Sequence, residues 1–99
     1  MDLAEVTNRI QSAIAGSGFD KKVKFDFGSV GKIFIDGPAG AVSNDDAAAD
    51  ATVTVAFEDF LKLAQGALDP MNAFMSGKLK VGGDMSVAMK LQSIFAKLR

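Results

Sequence analysis

The residues of this 99-residue chain that could do covalent or metal chemistry are few, and each group has a simpler reading. Ser76, Ser86 and Ser93 offer hydroxyl nucleophiles, but the chain has no His to take their proton. The absence of Cys removes thiol nucleophiles, thiolate metal sites and disulfides together. Glu58-Asp59 resembles a carboxylate pair for acid–base work. At the start of a helix, the two acids more simply favour the positive end of its dipole. Asn44-Asp45-Asp46 with Asp50 suggests a calcium loop. It lacks the regular acid spacing, the central glycine and the closing glutamate that such a loop needs. Gly28-Ser29-Val30-Gly31 and Gly37-Pro38-Ala39-Gly40 have neither a phosphate-loop ending nor a dinucleotide spacing, and read as hairpin turns. The expectation is no catalysis, no metal and no cofactor.

Apolar chemistry remains, and it concentrates in Asp69–Phe95. This stretch gathers Met71, Met75, Met85 and Met89, four of the five methionines, around one amide, Gln92. Methionine is flexible and polarisable, which suits surfaces that must fit irregular apolar partners. Either these residues form a core, or they form a core built around a guest.

The elements that must position them follow from periodicity. Asp2–Ala15 carries Leu3, Val6, Ile10 and Ile14 at helical spacing, with Gly16 as a stop. Lys22–Phe27 alternates, with Val23, Phe25 and Phe27 on one face, which predicts a half-buried strand. Lys32–Asp36 is apolar on both faces at its centre, so both should be covered. Asp36-Gly37-Pro38 and Gly40 mark a turn, Ala41–Asn44 a short third strand, and Asn44–Asp50 a loop. Ala51–Phe57 alternates again, and Glu58–Gln65 is a helical stripe ended by Gly66. Asp69-Pro70 is a helix start, an acid cap followed by proline at the first helical position. Gly77 ends that helix, Lys78–Val81 gives the last strand, Gly82-Gly83 breaks it, and Asp84 caps a final helix, Met85–Leu98. The order αββ(β)βααβα predicts one α+β domain over residues 1–99. Its five-stranded sheet should be mixed, mostly antiparallel and covered by helices on one side.

Composition excludes several partners. The net charge is −1, and the Lys and Arg residues are scattered, whereas nucleic acid requires a concentrated basic face. Lys78, Lys80 and Lys90 form at most a weakly cationic surface, which leaves transient contact with an anionic membrane open. No apolar run approaches the roughly 20 residues that span a bilayer. The N-terminus lacks a charged-then-apolar signal pattern, so a cytoplasmic setting is expected. The eight Phe, with no Tyr or Trp, bring apolar bulk without a polar handle and should face inward.

The final helix has more apolar surface than one sheet can use. At about 100° per residue, Ser86, Lys90, Ser93 and Lys97 share one narrow polar sector. The remaining arc of roughly 220° exceeds the ~100° stripe that a surface helix needs. It divides into Val87, Leu91, Ile94, Phe95 and Leu98 on one side. Met85, Ala88, Met89 and Ala96 form the other, with Gln92 in their middle. One sector can serve the sheet; the second must face another helix, a partner or a cavity. A buried amide costs on the order of 1–3 kcal/mol unless its hydrogen bonds are met.

Asp69-Pro70-Met71-Asn72-Ala73-Phe74-Met75-Ser76-Gly77-Lys78-Leu79-Lys80-Val81, then Gly83-Asp84-Met85 and Ala88-Met89-Lys90-Leu91-Gln92, closely resembles the sterol carrier protein 2 family. Phe25–Phe27, Ile33–Gly37, Asp50–Val55 and Asp59-Phe60-Leu61 sit where that family's strands and helix lie, so the likeness covers nearly the whole chain. The resemblance implies a stand-alone, bacterial-type member with a hydrophobic tunnel between the sheet and its helices. It implies binding of fatty acid, acyl-CoA, sterol-like or other isoprenoid lipid without catalysis. It also assigns lipid-binding positions to Phe57, Phe60, Leu61, Phe74, Met75, Met85, Ala88 and Met89, with Gln92 a polar position near the lipid. The chain departs from some members in lacking a tryptophan and in a short Gly37–Asp50 region. Ala96-Lys97-Leu98 resembles a peroxisomal address but is followed by Arg99, and such an address is read only at a free C-terminus. The leading expectation is a lipid carrier. The alternative is a scaffold that presents a lipophilic intermediate, such as a quinone precursor, to partner enzymes of lipid or quinone metabolism.

Overall fold

The computed structural model describes residues 2–15 and 19–97, without the side chains of residues 88, 91, 92, 93 and 96. Helix α1 (Leu3–Ile14) leads to strands β1 (Lys22–Asp26) and β2 (Lys32–Asp36), joined by a 3-10 turn at Gly28–Val30. Then come β3 (Ala41–Ser43), β4 (Ala51–Val55), α2 (Phe57–Gln65), α3 (Pro70–Met75), β5 (Leu79–Gly83) and α4 (Met85–Lys97). The sheet order is β3-β2-β1-β4-β5. Every pair is antiparallel except β1 with β4, which is parallel. The fold is therefore the α+β arrangement expected, with a five-stranded mixed sheet.

Register explains which face the helices cover. Ile33, Phe25, Val53 and Val81 lie side by side across four strands, and Val42, Ile35, Val23 and Ala51 form the adjoining row. Onto this face α1 brings Val6, Ile10, Ala13 and Ile14, α2 brings Phe60, Leu63 and Ala64, and α3 brings Ala73. Helix α4 adds Val87, Ile94 and Phe95. The opposite face alternates to Lys24, Asp26, Thr52 and Thr54, which remain partly or fully exposed. Phe34 is the apolar member of that face, opposite Lys24 in register and only 9% exposed. The connection from β3 to β4 lies on this side, held where the Lys24 ammonium meets the Asp46 carboxylate at 2.7 Å. Both faces of β2 are thereby covered, as its unbroken apolar centre requires.

Two boundaries differ from the sequence pattern. Phe57 begins α2 and does not extend β4, because the ladder ends where Val55 meets Leu79 and no strand among the described residues pairs with residue 57. Gly82-Gly83, expected to break β5, instead continue it, paired with Thr52 and Ala51. The missing side chain at Gly83 is what permits this. A Cβ there would lie 2.4 Å from the Asp50 carbonyl oxygen, at a φ of +94°. The Asp84 N–H then donates to that same Asp50 oxygen at 2.9 Å, which sets the start of α4 beside β4. The expected stop of α1, Gly16, and the end of α4 at Leu98 lie outside the described residues.

The edge at β3 is closed by a side chain. Gln11 on α1 donates from Nε2 to the Gly40 carbonyl at 2.8 Å, and its Oε1 accepts from the Val42 N–H at 2.9 Å. One amide thus satisfies edge-strand groups that would otherwise be open to another chain.

Candidate apolar ligand site

Helices α2, α3 and α4 and the β4–β5 end of the sheet carry the residues singled out by the sequence, and their local caps are those the sequence encodes. Asp69 caps α3 by accepting from the Met71 N–H at 3.4 Å, with Pro70 at the first position. Asp84 caps α4, accepting from the Ser86 N–H at 2.9 Å and the Ser86 hydroxyl at 2.7 Å. These bonds hold the Asp84 carboxyl below its ordinary range, the hydroxyl contributing most. Gly66 ends α2 in the left-handed conformation, at φ +78°.

The expected lipid-binding residues fall into two groups. Phe57, Phe60 and Leu61 belong to the inside. Phe60 is fully buried and meets Phe25, Phe27 and Phe95 with ring centroids 5.1, 5.0 and 5.5 Å away, all at steep interplanar angles. Phe57 stands edge-on to Phe27 at 5.2 Å, and with Leu61 is partly buried against the core. These are the edge-to-face contacts that aromatic quadrupoles prefer.

The second group faces outward. Phe74 is 42% exposed, Met85 51%, and Met75 and Met89 78% each. Met71, named in the methionine cluster but not among the lipid-binding positions, is 55% exposed and joins them. The two apolar sectors of α4 therefore separate: Val87, Ile94 and Phe95 enter the core, while Met85 and Met89 face away from it. The reading of these methionines as plain core does not hold for the chain by itself. The side chains of Ala88 and Gln92 lie outside the described residues.

Three rings that the sequence reading did not name among the lipid-binding positions, Phe25, Phe27 and Phe95, surround Phe60. Strand alternation marks the first two and the helical wheel marks Phe95, but only sheet pairing and helix docking bring the three rings together. Polar chemistry stays outside. Among the described residues no polar or charged side chain is buried. Glu58 and Asp59 sit in the first turn of α2. The acids of the 44–50 loop are turned to separate partners: Asp45 accepts from the Ser43 hydroxyl, Asp46 meets Lys24, and Asp50 accepts from the Lys22 N–H. What the arrangement offers is apolar surface of adaptable shape, suited to holding a hydrocarbon by burial.

Comparison with known proteins agrees with this geometry. The model of the SCP-2 sterol transfer family matches residues 2–96. The chain belongs to that family. It is 47% identical to human sterol carrier protein 2 over 58 residues, which is 59% of this chain and 11% of that protein. The chain thus spans about a tenth of the length of that curated relative. Among solved structures, sterol carrier protein 2 from Aedes aegypti, in complex with the C16 fatty acid palmitate, superposes with a TM-score of 0.82. That match has 24% identity and covers 100% of both chains. A UbiJ-SCP2 ubiquinone synthesis protein gives a TM-score of 0.70 at 15% identity, over 97% of this chain and 94% of its own. These structural likenesses establish a shared fold.

Proposed function

We propose that this member of the SCP-2 family is a non-catalytic carrier that binds one long-chain lipid, a fatty acid, acyl-CoA or sterol-like molecule, and transfers it. The observation that carries the reading is the division of α4. Its Val87–Ile94–Phe95 side is locked into the core, while Met85 and Met89 present exposed, adaptable apolar surface. The palmitate bound by the mosquito relative, whose fold this chain shares from end to end, supports an aliphatic ligand. In this reading Phe57, Phe60 and Leu61 form the inner wall. Phe74, Met75, Met85, Ala88 and Met89 close over the alkyl chain, and Gln92 meets its polar end. Each methylene buried contributes about 0.8 kcal/mol, so a C16 chain has ample driving force for micromolar or tighter binding once association costs are met. Selectivity among chain lengths is low, because methyl-sized differences contribute little in a methionine-lined site. A cytoplasmic setting is part of this proposal.

Native mass spectrometry of the purified protein, followed by lipid extraction, tests this reading. Adducts that extract as lipid are expected. No adduct, together with no displacement of a fluorescent fatty acid, overturns it.

A second reading rests on the fold shared with the ubiquinone synthesis protein: a scaffold that presents a lipophilic quinone precursor to partner enzymes. A pull-down separates the two, since a scaffold retains biosynthetic enzymes and a free carrier does not.

A further inference from the structure

Every sulfur among the described residues lies on the outside of the fold. The chain has five Met and no Cys, His, Trp or Tyr, so an oxidant that reaches it meets thioethers as its readiest side-chain targets. Met85 and Met89 stand one turn apart on one side of α4, 51% and 78% exposed. Val87, between them in sequence, is buried on the other side with Ile94 and Phe95. The bonds that fix the helix involve neither methionine. Asp84 caps its first turn and donates its own N–H to the Asp50 carbonyl at 2.9 Å. Further along, Lys90 meets Asp20 at 3.1 Å. A chemical change at the two sulfurs therefore leaves the cap and the packed side of α4 in place. Oxidation of a core methionine disrupts a fold; here it alters only an outer face.

We propose that Met85 and Met89 form a reversible oxidation site that sets whether the protein takes up its lipid. The inference rests on the carrier reading, in which both side chains close over the alkyl chain. The oxidant is a hydroperoxide, hydrogen peroxide being the simplest. A lone pair on the thioether sulfur attacks one peroxide oxygen, so that the S–O bond forms as the O–O bond breaks. The departing hydroxide takes the proton from the transferred oxygen and leaves as water. Sulfur is oxidised by two electrons and the peroxide is reduced by two. No side chain has to accept a proton, so the step proceeds without His. The sulfoxide is polar and hydrated, and a lipid chain covers it only by stripping that water. Oxidation thus closes the site to hydrocarbon without unfolding the chain, and a bound hydrocarbon shields the two sulfurs in turn. A sulfoxide reductase reverses the step with a dithiol, which closes to a disulfide as the sulfoxide oxygen leaves as water. Met71 is the internal reference: 55% exposed, on α3, and outside the positions assigned to the lipid.

The test treats lipid-stripped protein with hydrogen peroxide and maps the added oxygen by tandem mass spectrometry of peptides. Uptake of a fluorescent fatty acid is measured before and after. It should fall about tenfold once Met85 and Met89 are both sulfoxides, the effect of covering a polar group whose water is not replaced. The urea midpoint should not move. Saturating fatty acid should slow oxidation of Met85 and Met89 at least about fivefold, and that of Met71 by less than about twofold, since oxidation follows exposure. Sulfoxide reductase with dithiothreitol should restore both mass and uptake. The double variant Met85→Leu, Met89→Leu, whatever its starting affinity, should lose less than about twofold of it to peroxide, having no thioether left on this face. The proposal fails if fully oxidised protein takes up lipid as before, or if cargo shields Met71 as much as Met89. It fails equally if the double variant loses as much uptake as the wild type, or if oxidation unfolds the chain. Absence of uptake before any peroxide is added is a separate result, which overturns the carrier reading and the oxidation site with it.

Discussion

The phenylalanines of the core and the methionines of α3 and α4 are both apolar, yet they do opposite things. Phe25, Phe27, Phe60 and Phe95 lie 5.0–6.3 Å apart, ring to ring, in one cluster at the junction of sheet and helices. Met71, Met75, Met85 and Met89 are all at least half exposed. Rigid rings of fixed shape suit a site that must be filled in one way. Unbranched thioethers with three rotatable bonds suit a surface whose partner varies in shape. The comparison teaches that burial, not hydrophobicity, separates the apolar residues packed against one another from those left open to a partner.

The contrast is most directly broken at Phe60. Phe60→Ala should cost about 3–5 kcal/mol, since it deletes a fully buried ring and leaves a cavity among three others. Urea denaturation reads this, and a loss under 1 kcal/mol would mean that the cluster is not the structural centre. Next in size is Gly83→Ala, which sets a Cβ against the Asp50 carbonyl at an unfavourable backbone angle. It should cost about 1–3 kcal/mol and lower hydrogen-exchange protection in β5 before β2. Gln11→Ala, which frees the edge groups of Gly40 and Val42, should cost about 1–2 kcal/mol and raise the tendency to aggregate. Met89→Ser should stay within about 0.5 kcal/mol of wild type while weakening fatty-acid uptake. Equal loss of stability and uptake would return Met89 to the core.

The smallest expected effect is electrostatic. Asp20 accepts a 3.1 Å hydrogen bond from Lys90, and that bond, reinforced by the ammonium charge, holds its carboxyl below the ordinary 3.8. A lowered carboxyl stabilises the fold above its ordinary value, and that contribution is lost as pH falls through the lowered one. Both groups are largely exposed, so salt should weaken the effect. Lys90→Gln should return the Asp20 titration, followed by NMR, toward its usual position; an unchanged midpoint would remove the pair from the account.

The carbonyl of Asp50 shows where sequence reading reached its limit. Strand alternation at Val23–Phe25–Phe27, the two-sided core of β2 and the caps at Asp69 and Asp84 were all legible, because each depends on neighbours within a few residues. Gly82-Gly83 read as a breaker because glycine weakens a strand considered alone. Its reason for being there, close approach to a residue more than thirty positions away, has no local signature. Gln11 is the same case: an ordinary polar residue on α1 until the β3 edge is placed beside it.

The sequence by itself determined the element order, the α+β class and the excess of apolar surface on α4, since periodicity and caps are local properties of the chain. It also carried the family pattern. Only the tertiary structure decided which apolar sector of α4 is core. Burial depends on what packs opposite, and the wheel separates the two sectors without saying which of them the core takes. The sheet and α2 take the Val87–Ile94–Phe95 side, and Met85 and Met89 are left facing outward because no described element lies over them.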